Sequence, residues 1–541
     1  MAAHLAPKLS ESDRAAIEEI SSLIASGAVR GRPDLERLKR QVAVKHHLSR
    51  FISNSSILLS LPEGERPRWA ELLRIHPRRS ASGIIIVTVF SAPTFSCPHG
   101  TCVFCPGGPR IGTPQSYMPD GPSQRIARSL GYDSFLQAGR SLRKYREKGH
   151  ETSKAEAIIE GGTFIALPLE YQVPFVKGLY DGLNGSRSAS SLEEAQRANE
   201  SASSRCVGLT IESKPDWCEP SHIDLMLSYG VTRLEIGVQS LHEEPLRRSN
   251  RGHTVQDSVD AFRVARDAGL KVCAHMMPGL PGSSPAEDLE DVRRLFEDES
   301  FRPDMSKLYP TLVVRETALA RWAEAGLYRP YTLEETVELL AEMKRHVPSW
   351  HRIMRIMREI PESDIRGGPN AGNLRELVLR RVEELGFRCG CIRCREVALD
   401  SPVDLGDLEP SLQVQEYRAS EGTEVFASFE YPASGKLAAF VRMRSPSPLA
   451  HRKEMESSCV VRELKVYGRV VSVGARDRDA WQHRGLGAAL LGEMERVARE
   501  RFGARRLLVT SAVGTRNYYR RFGYEPVGPY MGKPLAGGSL A

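Results

Sequence analysis

The chain has 541 residues, 41% of them hydrophobic, and a formal net charge of +7. That length predicts three or four domains with sizeable cores. No apolar run approaches the ~18 residues of a membrane span, and the polar, amphipathic start lacks the apolar stretch of a secretory signal, so a cytoplasmic protein without a membrane partner is expected.

The charge is unevenly placed: residues 1–150 hold 22 Lys+Arg against 12 Asp+Glu, and the remainder 53 against 56. A basic front on a near-neutral body predicts a polyanionic partner on that side. Ser10 and Asp13 make a capping-box start, and Ile17, Ile20, Leu23 and Ile24 form a helical stripe ending at Gly27. A second helix is expected from Asp34 to Leu48, with Lys39, Arg40 and Lys45 on its polar face. The basic theme continues in His76-Pro77-Arg78-Arg79, so residues 1–80 read as a basic helical region.

From Gly83 six short apolar segments follow: Ile84–Phe90, Ala157–Glu160, Cys206–Glu212, Arg233–Val238, Lys271–Met277 and Met305–Tyr309. Helix-length sequence separates them, which predicts a parallel sheet curled into a partial barrel of six βα repeats over residues 81–385. Ligand-binding residues are then expected at the carboxyl ends of the strands. The first such loop carries Cys97, Cys102 and Cys105 in C-x4-C-x2-C spacing. Three thiolates can hold three irons of a 4Fe–4S cube and leave the fourth open to S-adenosylmethionine. A zinc knuckle completed by a remote ligand such as His99 is the competing reading. Glu160-Gly161-Gly162 follows strand two, Lys214 strand three and Gln239 strand four, all candidate cofactor contacts. Between strands one and two, Arg143 and Lys144 flank Tyr145 as nucleic-acid surfaces often do. Ser186–Ser204 reads as a surface insertion with no chemistry.

Residues 386–409 form a cysteine-rich linker, where Cys389, Cys391 and Cys394 suit a structural zinc or stand as free thiols. Residues 410–541 read as an α+β unit with strands at Val460–Tyr467, Val470–Val473 and Leu507–Val509. Gln482-His483-Arg484-Gly485-Leu486-Gly487 opens an amphipathic helix, presenting free N–H groups to a pyrophosphate in the manner of an acetyltransferase coenzyme A site.

Taken in order, CPHGTCVFCPGGP, EGGTF, TRLEIGVQS, NRGHT, AHMMPGLPG, KLYPTLV, VRELKVYG, QHRGLGAALL and GTRNYYRRFGY resemble the catalytic subunit of Elongator. The resemblance covers about residues 75–535 and implies a radical S-adenosylmethionine barrel joined to a GNAT acetyltransferase domain. It implies 5-carboxymethyluridine formation at the wobble position of tRNA from acetyl-CoA. It assigns Cys97, Cys102 and Cys105 to the cluster and Lys154 to acetyl-CoA contact. Glu463, Leu464, Lys465 and Val466 match the strand beside the pantetheine arm, Gly485, Leu486 and Gly487 the pyrophosphate loop, and Tyr519 (with Tyr518 preceding it) the thioester. The cysteine trio of the linker resembles bacterial and archaeal members, which implies action without a large Elongator assembly and leaves room for a homodimer.

Carbon 5 of uracil is not acidic and has no leaving group, so a radical is a sensible route to a carbon–carbon bond. The expected course is hydrogen removal from the acetyl methyl, addition to a flipped-out base and thioester hydrolysis. The acetyl group is expected to point into the barrel mouth above Cys97–Cys105, with Lys154 in a shared cavity. The alternative is a protein lysine N-acetyltransferase whose iron–sulfur cluster is structural.

Overall fold

The computed structural model describes residues 10–76, 80, 82–397, 409–467 and 485–535. Arg78, Arg79, Gln482, Arg484 and the strand expected at Val470–Val473 lie outside the described residues.

Helix α1 (Glu11–Ala25) starts where the capping box predicts: the Ser10 hydroxyl accepts the Asp13 N–H, and the Asp13 carboxylate accepts the Ser10 N–H. Its Ile17, Ile20 and Ile24 bury against Leu35 and Val42 of α2 (Arg32–Lys45) and against Ile57 and Leu58.

The central sheet has seven strands in sequence order, every neighbouring pair parallel. They are β1 (Ile85–Phe90), β2 (Lys154–Glu160), β3 (Arg205–Ser213), β4 (Arg233–Gln239), β5 (Lys271–Met276), β6 (Met305–Leu308) and β7 (Arg352–Ile356). The first six match the expected segments. The seventh corrects the count of six: Arg352 and Arg355 interrupt its apolar residues, Arg352 pairing with Glu396 and Arg355 lining a polar cavity. β1 and β7 are the two edges, so the curled sheet stays open along that seam. Helix α3 (Ser134–Glu147), capped by Asp133, covers the β1 side.

The polar stretch 186–204 is not an idle surface insertion. It folds into α4 (Leu192–Asn199), whose Leu192, Ala195, Gln196 and Asn199 are buried. Small and polar residues dominate its sequence, so its packing face did not stand out.

After the linker comes a second seven-stranded sheet, ordered β8-β9-β10-β11-β12-β14-β13. Its strands are β8 (Ser411–Ala419), β9 (Gly422–Tyr431), β10 (Lys436–Ser445), β11 (Ser458–Val466), β12 (Arg506–Val509), β13 (Glu525–Val527) and β14 (Tyr530–Pro534). Helix α5 (Leu486–Phe502) packs Leu490, Leu491, Met494 and Val497 on it, and the short α6 (Arg516–Arg520) follows β12. β11 and β12 run parallel, and their pairing stops at Val461 opposite Val509. Glu463–Val466 therefore presents an edge on that side.

The two sheets share one apolar core, because Phe426, Phe440, Tyr467, Leu508, Val513 and Tyr530 join the barrel's own cluster. The join lies at the amino ends of the barrel strands. Asp304, just before β6, takes Arg462 of β11 at 2.6 Å through both oxygens. Asp267, before β5, takes Arg444 of β10 at 2.7 and 2.9 Å. Arg352, at the start of β7, donates to the Tyr467 hydroxyl at 3.0 Å. Glu424 of β9 binds Arg444 at 3.0 Å and Arg462 besides. All of these groups are buried, and buried charges persist only when paired this fully.

Candidate active site

The loop after β1 brings Cys97, Cys102 and Cys105 to the carboxyl end of the barrel, where they line one cavity of about 1120 Å³. Among the described residues, the Cys, His and carboxylate groups converging within 4.8 Å are Cys389/Cys391/Cys394 and Glu235/Cys273/His275. The sulfurs of the three loop cysteines do not all lie within that distance of one another. Burial raises Cys97 and Cys102, and for Cys102 the Arg251 guanidinium opposes that effect. Arg251 donates to the Cys102 sulfur at 3.4 Å and to the Gly237 carbonyl at 2.6 Å. His99 Nε2 lies 3.2 Å from the same sulfur, and burial with Lys214 and Arg251 lowers the ring to about 4. Gln115 donates to Cys105 at 3.5 Å. A three-thiolate set backed by a fixed cation and amide donors fits an anionic iron–sulfur cluster.

Gly161, at φ +133, has the Ser91 hydroxyl 2.1 Å from where a Cβ would stand, so only glycine fits. Its neighbour Gly162 lies 3.5 Å from the Cys97 sulfur by the same measure, placing this backbone beside the cluster loop. Gln239 also takes a positive φ, +73, at the end of β4. Lys214 points into the cavity and pairs with Asp216 at 2.9 Å.

Below the cysteines the barrel interior is a ladder of charges that sequence reasoning did not assemble. Tyr117 donates to Glu160 at 2.9 Å. Burial, then the neighbouring Glu160, pushes Glu212 up to about 7. Glu235 would be raised by burial, but Lys307 and His275 hold it well below the usual range. Arg233 closes the ladder on Glu156. Lys307 Nζ against Glu235 supplies the positive charge a metal would bring, so Glu235/Cys273/His275 reads as an ion pair with its neighbours. Apart from Tyr117, these side chains sit on β2 to β6; only their convergence across strands, which one sequence does not display, marks them.

The Glu212 shift has a measurable consequence. Its carboxyl keeps a proton in the folded ligand-free chain up to about 7, but loses it near 4.5 when unfolded. The folded state binds more protons between those values, so this group's contribution to stability falls as pH rises through that window. Glu212→Gln is expected to flatten that part of the pH–stability curve of the cluster-free protein and to raise its denaturation midpoint at pH 8. An unchanged slope would show that Glu212 ionises normally.

The acetyl-CoA residues expected from the resemblance lie at the opposite end. Lys154 is the first residue of β2, half-buried, its ammonium lowered by burial and then by Arg205. Glu463 accepts from Arg442 at 3.0 Å, and Lys465 lies over the Tyr467 ring. The Tyr518 hydroxyl sits 2.8 Å from a Cβ built on Gly487, against the start of α5, whereas Tyr519 is buried among Tyr518 and Tyr524. Tyr518 is thus the hydroxyl facing the Gly485–Gly487 loop. Among the described residues, Lys154, Glu463–Val466, Gly485–Gly487 and Tyr518 do not line the cysteine cavity. β2 alone separates the two ends by roughly 20 Å at about 3.3 Å per residue. Glu156 and Arg233 line the lower end of the cysteine cavity, and Lys465 of β11 and Lys271 of the barrel floor both act on the Glu156 carboxylate.

Cys389, Cys391 and Cys394 converge between barrel and second sheet, with Lys344 Nζ 3.2 Å from Cys389 and 3.8 Å from Cys394. Hydrogen bonds from Cys389 and Cys394, with the Lys344 charge, hold Cys391 well below the usual thiol range. A ready thiolate suits a metal ion.

Of the expected basic contacts, Arg40, Arg143 and Lys144 are exposed. Lys45 is exposed as well and pairs with Glu19 at 2.8 Å, whereas Lys39 is shielded and donates to Asn54 at 2.9 Å. The excess charge of the front half lies mainly in residues 77–150, with 10 Lys+Arg against 3 Asp+Glu. Arg125, Arg128, Arg143 and Lys144 expose it on and before α3.

Three family models match the chain: the ELP3 N-terminal domain over residues 14–81, the Radical SAM superfamily over 91–296 and the Radical_SAM C-terminal domain over 303–384. The chain is 41% identical over 532 residues to the tRNA uridine(34) acetyltransferase of Methanocaldococcus jannaschii, covering 96% of this chain and 98% of that protein. It is 41% identical over 512 residues to Elongator complex protein 3 of Homo sapiens, covering 93% of each. Among solved structures, the archaeal Methanocaldococcus infernus Elp3 lacking residues 1–46 superposes with a TM-score of 0.74 at 39% identity, covering 84% of this chain and all of that one.

Proposed function

Because this chain belongs to the Elp3 family of radical SAM enzymes, we propose that it modifies uridine 34 of tRNA, building the 5-carboxymethyl group from acetyl-CoA. The observation that carries this reading is the three-cysteine loop at the mouth of a barrel cavity lined by charged side chains down to Glu156 and Arg233.

At the carboxyl end Cys97, Cys102 and Cys105 would hold the 4Fe–4S cluster, which with S-adenosylmethionine supplies a carbon radical. Gly161 and Gly162 offer close backbone there, Glu160 and Glu212 accept an ammonium, and Gln239 and Lys214 complete the wall. Arg251 donates to the Cys102 sulfur and opposes the rise that burial gives its thiol. At the amino end the start of α5 at Gly485–Gly487 presents unpaired N–H groups to a pyrophosphate, the edge Glu463–Val466 pairs with a pantetheine arm, and Lys154 and Tyr518 flank the thioester. Cys389, Cys391 and Cys394 would hold a structural zinc where linker and sheets meet.

Near-attack geometry needs the acetyl methyl within roughly 3–3.5 Å of the abstracting atom. The acyl arm therefore has to come within reach of the cluster end of the barrel, and the base enters from the seam between β1 and β7, beside the basic α3 surface. A lysine acetyltransferase would use the second sheet alone and leave the charged interior without a task.

The test is anaerobic turnover on tRNA with methyl-deuterated acetyl-CoA. Carboxymethyluridine should form, and deuterium should appear in 5′-deoxyadenosine. Product without transferred deuterium refutes the acetyl methyl as hydrogen source; no product refutes the reading.

A further inference from the structure

Building on the acetyl-CoA site proposed above, we infer that Glu200 of the barrel unit is a positioning residue for it. It fixes the helix that carries Tyr518 and Tyr519, so that half-site is complete only against the barrel.

Glu200 follows α4 and is rigidly placed. The side chain of Asn199, fully buried, donates to the Ser204 carbonyl at 3.2 Å and accepts the Cys206 N–H at 2.7 Å, tying this turn to the start of β3. The Glu200 carboxylate accepts from Arg516 at 3.1 Å and from Arg520 at 2.5 Å, and its backbone carbonyl accepts from the Asn517 amide at 3.0 Å. Its side chain is only 13% exposed, so this is one carboxylate shared by two guanidiniums in partial shelter rather than a solvated surface pair.

The three partners are residues 516, 517 and 520, and the two tyrosines lie between them. Five residues cannot hold a helix by their own hydrogen bonds, so external anchors set its orientation. A second anchor precedes it. Gly514 lies so flush on β3 that a Cβ there would stand 2.6 Å from the Arg205 side chain and 2.7 Å from the Cys206 carbonyl. Tyr518 is thereby held with its hydroxyl against the start of α5, where the thioester is placed.

The test uses the full-length, cluster-loaded chain with Glu200→Gln, which keeps the shape and removes the charge. Acetyl-CoA affinity by calorimetry should weaken roughly tenfold or more, the scale of one charge-assisted hydrogen bond. KM for acetyl-CoA should rise in step while kcat falls little. Iron content and tRNA-independent cleavage of S-adenosylmethionine should stay at wild-type level, which also excludes global misfolding. Arg520→Met should weaken binding alike, and the double variant should lose little more than either single. Binding within twofold of wild type in both single variants overturns the inference and leaves the acetyl-CoA site standing. Failure of the wild type itself to bind acetyl-CoA overturns both.

Discussion

Replacing Cys102 with alanine is expected to remove the iron–sulfur absorbance of the reconstituted protein and its cleavage of S-adenosylmethionine together. Of the three loop cysteines it is the most buried, and both Arg251 and His99 point at its sulfur. Deleting that thiolate leaves the guanidinium without its anion and an iron without its thiolate ligand, and Arg251 cannot replace it because a guanidinium has no lone pair to give. Zinc at Cys389, Cys391 and Cys394 should remain at about one per chain, since that trio lies at the other end of the barrel. Metal analysis with absorbance spectroscopy reads both at once. Loss of iron and zinc together would show that the cysteines divide differently.

A comparably large effect is expected from Asp304→Ala, and it concerns stability rather than chemistry. Asp304 accepts two bonds from Arg462 at 2.6 Å and the Val272 N–H at 2.8 Å, and its carboxyl is held far below the usual range, burial being outweighed by Arg462 and Arg266. Truncation strands buried guanidiniums at the join of barrel and second sheet, a change that costs about 3–5 kcal/mol when one partner of a buried pair is removed. The denaturant midpoint should fall accordingly, and proteolysis should become faster in the linker. The double variant Asp304→Ala with Arg462→Met should recover part of the loss, because it removes both halves of the pair. A single-variant cost below about 1 kcal/mol would mean that apolar contacts, not this network, hold the two sheets together.

The sequence alone determined the local and the repetitive features. The capping box at Ser10, six of the seven barrel strands and the cysteine loop after the first of them follow from short-range patterns whose periods or spacings are set by backbone geometry. The buried stripe of α5 is of the same kind. Tertiary structure decided what those patterns cannot carry. The seventh strand was hidden because Arg352 and Arg355 break its apolar run, and only the fold gives them Glu396 and the polar interior to face. The stretch 186–204 looked inert because Glu200 finds its arginines more than 300 positions away. The ladder Glu160–Glu212–Glu235–Lys307 exists only once parallel strands are laid side by side. The residues proposed to contact acetyl-CoA lie at the barrel's amino end for the same reason. Motifs name the groups a site contains, but which end of a barrel a domain covers is settled by complementary buried surfaces, here Asp267 and Asp304 meeting Arg444 and Arg462, and that pairing has no local signature in the chain.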